Sequence, residues 1–465
     1  MFQARKLYKS AIVLLTMIGC FGLTAAYAST VDIFYVEGSK ALADISQVSL
    51  DNVPESERKE LDKVNLVPYY IGKHFNLSGD FVVHFDDYLI KKYNVTYSHE
   101  YDKSKNYVRY TSKVTKRGNK YSLSISLSNS TQSVSVLTLQ YDLKDLTQSS
   151  LKTIAVNAAN SIAFNFTGKQ YYFNSKIMFV AGSSKKPYKK GNNASDYLKV
   201  SDRALYVMDY DGEKEAQISP PGLFFNPVYF KNSKSIAVLD YEGSTSMPRK
   251  ISSASAESAA DMDSFFDLIS KAPEFKGKSI FNISISPDGK KVALVVESSG
   301  GSDIYKVTVK DFKVSKLTSG GINTSPSWSG DGKKIAFSSN KTGRSNIYIM
   351  TEGGRQVHRV TNKNGNFREP KWSPYSSKIV YTRIHKGSFS IEYVDIFTHK
   401  TVTLHKSFSA EKPQWSPCGL FVIFSFQKNS TSGSMFKIVS VDNPLESRIV
   451  GDKKINYLDP HWFVS

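Results

Sequence analysis

Between Ile285 and Phe424 one short pattern returns every 43 or 44 residues, and that interval restricts the fold more than any other feature of the chain. Its clearest copy is N-T-S-P-S-W-S-G-D-G-K-K-I-A-F, from Asn323 to Phe337. The turn at its centre begins at Ser286, Ser329, Ser373 and Ser416. A repeat of this length in a chain rich in Tyr, Phe, Val, Ile, Ser and Thr describes a small sheet used many times, not a stack of helices.

One unit can be read residue by residue. In S-P-D-G-K the Pro presets φ, the Asp can bond its own backbone and the Gly accepts a positive φ, so the segment predicts a tight hairpin turn. A short strand ending at Ile285, Trp328, Trp372 or Trp415 precedes each turn, and an apolar run such as Lys334 to Phe337 follows it. Asn346 to Met350 and Gln356 to Val360 supply a third and a fourth run. Four strands per period make one blade of a β-propeller. Weaker turns before Ile177 to Val180 and before Ser235 to Leu239 bring the outgoing strands to six, which predicts six blades. The tail, D-P-H-W-F from Asp459 to Phe463, repeats the opening strand with no turn after it. It is expected to complete the first blade and so close the ring. Residues 244–263 are rich in Ser and Ala and read as an enlarged loop in blade two.

The segments before the repeat divide in two. Arg5, Lys6 and Lys9, the apolar run Ala11 to Leu23 and the A-Y-A ending at Ala28 predict a signal peptide over residues 1–28, cut between Ala28 and Ser29. An uncleaved anchor, or a lipoprotein cut before Cys20, are the alternatives. The apolar run is short for a membrane span. Residues 29–168 lack the period and read as an α+β domain, followed by the propeller over 169–465. Within that domain Glu55 to Ser78 has helical spacing with Pro68 expected to kink or split it. Phe81 to Phe85 reads as a strand. Tyr107 to Lys116 and Tyr121 to Leu127 flank the hairpin turn Arg117-Gly118-Asn119, and Val134 to Leu143 adds a strand. Leu146 to Phe166 carries one apolar stripe and reads as a helix. At its start, Val31, Asp32, Ile33, Phe34, Tyr35 and Val36 alternate as a strand or an extended arm.

The search for chemistry yields little. None of the eight histidines falls into a ligand-spaced motif, no nucleophile elbow is present, and the paired glycines are not followed by helices. No catalytic residue, metal or cofactor is therefore expected. Once the leader is removed Cys418 is the remaining cysteine, at a hairpin tip where other turns have Asp, and it reads as a turn residue. The formal net charge is +19, with lysines scattered through turns, so nucleic acid is not the expected partner. The charge reads first as a solvated surface, and in functional terms as attraction to an acidic partner or envelope polymer. Loops entering each blade gather at one mouth of the axial channel. They carry Phe225 and Asn226, Phe281 and Asn282, Thr324 and Ser325, Arg368 and Glu369, Glu411 and Lys412, and Leu458 and Asp459. Mixed apolar, hydroxyl and charged groups at a concave mouth suit a docked protein.

The export signal, the small α+β domain, the S-P-D-G-K-K turns and the closing x-P-x-W tail together resemble the TolB family, the periplasmic propeller proteins of the Tol-Pal system. The resemblance extends over nearly the whole mature chain. It implies a monomeric, non-enzymatic adaptor in the periplasm without stable membrane insertion. Such an adaptor docks the peptidoglycan-associated lipoprotein Pal at the mouth and TolA through the amino-terminal region, with other envelope proteins as further partners, and supports outer-membrane integrity, protein import and cell division. The arm from Ser29 to about Gly38, which includes Val31 to Val36, matches the family position of a segment that can bind TolA or fold back on the body. An exported propeller hydrolase or lactonase, and a cell-wall polymer-binding module, are the competing readings.

Overall fold

The computed structural model describes residues 41–78, 80–95, 108–129, 135–183, 203–231, 234–242, 245–251, 260–375, 377–429, 432–451 and 455–464. The expected cleavage site, Ala28 and Ser29, and the arm Val31 to Val36 lie outside these residues.

The amino-terminal unit is built on five strands: β1 (Ala41–Ser49), β2 (Phe81–Phe85), β3 (Val108–Arg117), β4 (Lys120–Asn129) and β5 (Ser135–Leu143). They lie in the order β2-β1-β3-β4-β5. Strand β1 is parallel to both neighbours, while β3, β4 and β5 are antiparallel. Alternation decides which face is covered: Leu123, Ile125 and Leu127 of β4 are buried, and Ser122, Ser124 and Ser126 between them are half-buried. The β3–β4 turn is as tight as the sequence predicts, since Arg117 pairs with Lys120 and Gly118 takes φ of 60°.

Four helices accompany the sheet: α1 (Glu55–Leu61), α2 (Leu66–Ser78), α3 (Asp87–Tyr93) and α4 (Gln148–Thr167). The predicted split in Glu55 to Ser78 occurs, but as a 3-10 turn over Asp62–Asn65. Pro68 then falls in the first turn of α2, where its missing N–H costs little. Thr147 caps α4 by accepting from the Ser150 N–H, and Gly168 ends it in the left-handed conformation at φ of 67°. The buried stripe of α4 runs Leu151, Ala155, Ala158, Ala159, Ile162 and Ala163.

The second unit is a series of small antiparallel sheets. The first joins Lys176–Ser183, Ala204–Asp209 and Ala216–Gln217 to the tail strand Ile455–Phe463, which pairs with Lys176–Ser183. Four further sheets of four strands open at Ile280–Ile285, Asn323–Trp328, Asn366–Trp372 and Ser409–Trp415. The expectation of six four-stranded blades is corrected to five. The sheet expected as blade two has three strands among the described residues, Phe224–Phe230, Ser235–Glu242 and Thr245–Ile251. The segment expected there as a loop instead supplies the strand Thr245–Ile251 and a helix, α5 (Ala260–Lys271). Helix α5 buries Phe265, Phe266 and Ile269 in the same core as Phe230, Phe275 and Ile280. A helix thereby covers apolar surface that a fourth strand covers elsewhere.

The recurrent turn is held by its own side chains. Ser286 Oγ donates to Asp288 Oδ1 at 2.6 Å and accepts from the Lys291 N–H at 2.9 Å, while Gly289 adopts φ of 70°. Ser329, Asp331 and Gly332 repeat the arrangement. At Ser416 the Cys418 thiol takes the carboxylate's place, 3.1 Å from Ser416 Oγ, and Gly419 keeps φ of 71°. Trp328, Trp415 and Trp462 reach back to an earlier segment through the indole: Trp328 Nε1 donates to Ser284 O, Trp415 Nε1 to Lys371 O and Trp462 Nε1 to Ser175 Oγ. The fixed interval thus reflects a fixed contact between neighbouring sheets.

Gly330, where other turns have Pro, is explained by the same closeness. A Cβ there would collide with the backbone carbonyl of Pro374 in the adjoining turn. Gly330→Ala is expected to destabilise the chain by about 2 kcal/mol. The check is the urea midpoint, and an unchanged midpoint would mean the two turns part freely.

The two units share one core that includes Ala155, Phe173, Tyr210, Phe436, Tyr457 and Trp462. Beside it, Lys73 and Lys152 meet Asp209, Asp211 and Glu213 across the junction.

Candidate functional site: the mouth of the axial channel

Each sheet's innermost strand carries a bulge at one equivalent point. Pairing slips between Ile280 and Asn282, Thr324 and Ser327, Arg368 and Lys371, Glu411 and Gln414, and Leu458 and His461. In the three-stranded sheet the slip falls opposite Phe225 to Val228. The cause is legible in x-P: proline offers no N–H to the ladder and keeps the residue before it out of the right-handed helical region. Asn226, Ser325, Glu369, Lys412 and Asp459, each followed by proline, take φ between 47° and 58°. Asn282, followed by Ile283, does not. Left-handed backbone at residues other than glycine costs on the order of 1 kcal/mol apiece, and such strain concentrates where side chains must be aimed.

The side chains so aimed surround one narrow opening. Asn226, Asn282, Ser325, Glu369, Lys412 and Asp459 line it, with Lys371 and Gln414 behind them. The carboxylates bond the backbone freed by the next bulge: Glu369 Oε2 accepts from the Lys412 N–H at 2.7 Å, and Asp459 Oδ2 from the Asn226 N–H at 3.3 Å. The Lys412 ammonium stands 3.5 Å from both Glu369 and Asp459. Asp459 foremost, against the opposing effect of burial, pushes the Lys412 pKa up. Burial, and then Glu369, raises that of Glu411. Asn282 is buried, and its Oδ1 has no hydrogen-bond partner among the described residues. The mouth therefore combines fixed charges of both signs with an acceptor that a docked group could satisfy.

Of the residues expected at the mouth, the second member of each pair, Asn226 through Asp459, comes together in this ring. Phe225, Phe281, Thr324, Arg368 and Glu411 are not in its lining. Phe281 is 48% exposed and Arg368 is exposed, whereas Phe225 is partly buried beneath the Arg203 guanidinium.

Sequence reasoning missed the tier behind the mouth. The residue after each proline, or its equivalent, faces the channel: Val228, Ser284, Ser327, Lys371, Gln414 and His461. The x in P-x-W was the available signal. Burial, and then Lys412, lowers the Lys371 pKa to about 8. Burial, and then Lys371, lowers that of His461 to about 3, so the imidazole is neutral. Among the described residues no group of three or more His, Cys, Asp or Glu could hold a metal ion. No described helix is long and apolar enough to cross a membrane.

Comparisons with known proteins follow this geometry. The family model of the TolB beta propeller domain matches residues 164–465. Among solved structures, TolB from Acinetobacter baumannii is similar with 18% identity, covering 91% of this chain and 96% of that one, at a TM-score of 0.66. Hydrazine synthase from Kuenenia stuttgartiensis is 13% identical over 62% of this chain and 46% of its own, at a TM-score of 0.43. A puromycin-hydrolysing peptidase from Mycobacterium tuberculosis is 13% identical over 74% and 53%, at 0.38. No curated protein matches the sequence. The matched residues cover well over half of the chain and take in every bulged strand described above, so the chain belongs to the TolB beta-propeller family.

Proposed function

We propose that the chain is a periplasmic adaptor of the Tol-Pal system that docks the lipoprotein Pal on the ring of bulged residues at the propeller mouth. The single observation that carries this reading is that ring: five strained x-Pro bulges hold Asn226, Ser325, Glu369, Lys412 and Asp459 around one opening. Family membership supports the Tol-Pal setting. In this reading the three-stranded sheet with α5 serves as the sixth blade, and the pairing of Ile455–Phe463 with Lys176–Ser183 closes the ring.

The signal over residues 1–28, cut between Ala28 and Ser29, delivers the chain to the periplasm. The arm from Val31 to Val36 is the TolA contact, and the chain acts as a monomer with no catalytic role. Passed over a Gram-negative envelope extract, the immobilised chain is expected to retain Pal. A Ser325→Arg variant, which places a long side chain in the opening, is expected to lose it while melting like the wild type. Retention of Pal by that variant would remove the mouth from the reading.

A further inference from the structure

Behind the mouth the channel widens into a cavity of about 430 Å³. That is within the range of small-molecule sites. All four tryptophans of the chain, Trp328, Trp372, Trp415 and Trp462, line it. Its polar groups are not spread evenly. Of the six residues in the tier, Val228, Ser284 and Ser327 come from three successive inner strands and are small or apolar, whereas Lys371, Gln414 and His461 come from the next three.

The second group consists of hydrogen-bond donors without a matching acceptor. The side chains of Lys371 and Gln414 make no hydrogen bond or ion pair among the described residues. His461 Nε2 accepts from the Tyr229 N–H at 3.2 Å, which places the proton of the neutral ring on Nδ1. The nearest acids, Glu369 and Asp459, are already engaged with Lys412 in the tier above. An ammonium, a carboxamide and an imidazole N–H therefore converge in a pocket walled by indoles.

We propose that this rear half of the channel binds a small organic carboxylate with an apolar body. The carboxylate lies against Lys371, Gln414 and the His461 N–H, and the body lies against the tryptophans. A carboxylate supplies the acceptors these donors lack, and its charge answers the ammonium. The site adjoins the mouth, where Lys371 and Gln414 also form the back of the lining, and does not depend on the partner proposed for it.

The tryptophans report occupancy directly. Titration of 3-phenylpropionate into the full chain is expected to change their fluorescence saturably. The uncharged 3-phenylpropionamide is expected to bind at least tenfold more weakly. Lys371→Met should lower affinity for the acid at least tenfold with an unchanged circular dichroism spectrum. Should that variant fail to fold, Gln414→Leu takes its place with an expected loss of threefold or more. The absence of a saturable response, equal binding of acid and amide, or wild-type affinity in the folded variant would overturn the assignment.

Discussion

A chain cut after Gly451, without the tail strand Ile455–Phe463, is expected to lose its cooperative fold. The strand pairs with Lys176–Ser183 from Ile455 to Phe463 and buries Tyr457, Trp462 and Phe463 almost completely. It also makes bonds that no other segment replaces: Tyr457 Oη to Glu215, Trp462 Nε1 to Ser175 Oγ, and the Tyr229 N–H to His461. Burying one such side chain contributes about 1.5–3 kcal/mol, so three aromatics alone contribute roughly 4.5–9 kcal/mol. That is comparable to the whole net stability of an ordinary domain. Removing the strand also bares the ladder edge of Lys176–Ser183, a template for association between chains. Thermal unfolding followed by circular dichroism, with light scattering alongside, checks this. A truncated chain that stays monomeric and melts within a few degrees of the full one would show that the tail pairing contributes little.

Lys152→Met is expected to cost about 3 kcal/mol, the scale of removing one partner from a buried ion cluster. Lys152 is buried, with its ammonium 3.1 Å from Asp209, 2.9 Å from Glu213 and 3.7 Å from Asp211. The Asp211 side chain is 1% exposed. Burial works to raise its pKa, but Lys73 and Lys152 outweigh it and hold the carboxyl below its ordinary value. A carboxyl whose pKa is lowered on folding adds stability above its unfolded pKa and loses it as pH falls through the folded value. The wild-type contribution therefore persists below the usual carboxylate range. With only Lys73 left, burial gains ground, Asp211 takes its proton at higher pH, and the acid-unfolding midpoint of the variant is expected to move upward. Midpoints that coincide in wild type and variant would mean the cluster is no better than a solvated surface pair.

The parts of this architecture that were legible in the sequence are those fixed by local chemistry. S-P-D-G-K specifies its turn through bonds within six residues, and Trp328 and Trp415 mark contacts at the same chain interval of 44 residues, so both survive without knowledge of the fold. Even Cys418 is legible as a turn residue, because Ser416 and Gly419 preserve the turn around it. What was hidden depends on distant partners. Strand β1 lies between two neighbours in its sheet, yet among its described side chains only Ala43, Ile45 and Val48 are buried, too sparse a pattern to declare a strand. Helix α3 is two turns long and defined by caps: Asp86 accepts from the Leu89 N–H, and Asn94 ends it at φ of 49°. The start of helix α5, Ala260 to Asp263, reads as part of a loop because the partners of the helix, Phe230, Phe275 and Ile280, come from other elements.

The candidate site divides the same way. Proline announces five of the six bulges, so Asn226, Ser325, Glu369, Lys412 and Asp459 could be placed at the mouth from sequence. Which of their neighbours also face the opening could not be, since that depends on how far each bulge turns its strand. Phe281 and Arg368 point to the surface around the ring, and Lys371 lies on the axis although it differs from Arg368 by only three positions.

The adaptor reading is tested most directly by calorimetric titration of purified Pal into the full chain and into the Ser325→Arg variant. The expected result is saturable one-to-one binding to the wild type and at least a hundredfold loss in a variant with unchanged thermal unfolding. Binding of equal strength to both chains, or no binding to the wild type, would contradict it.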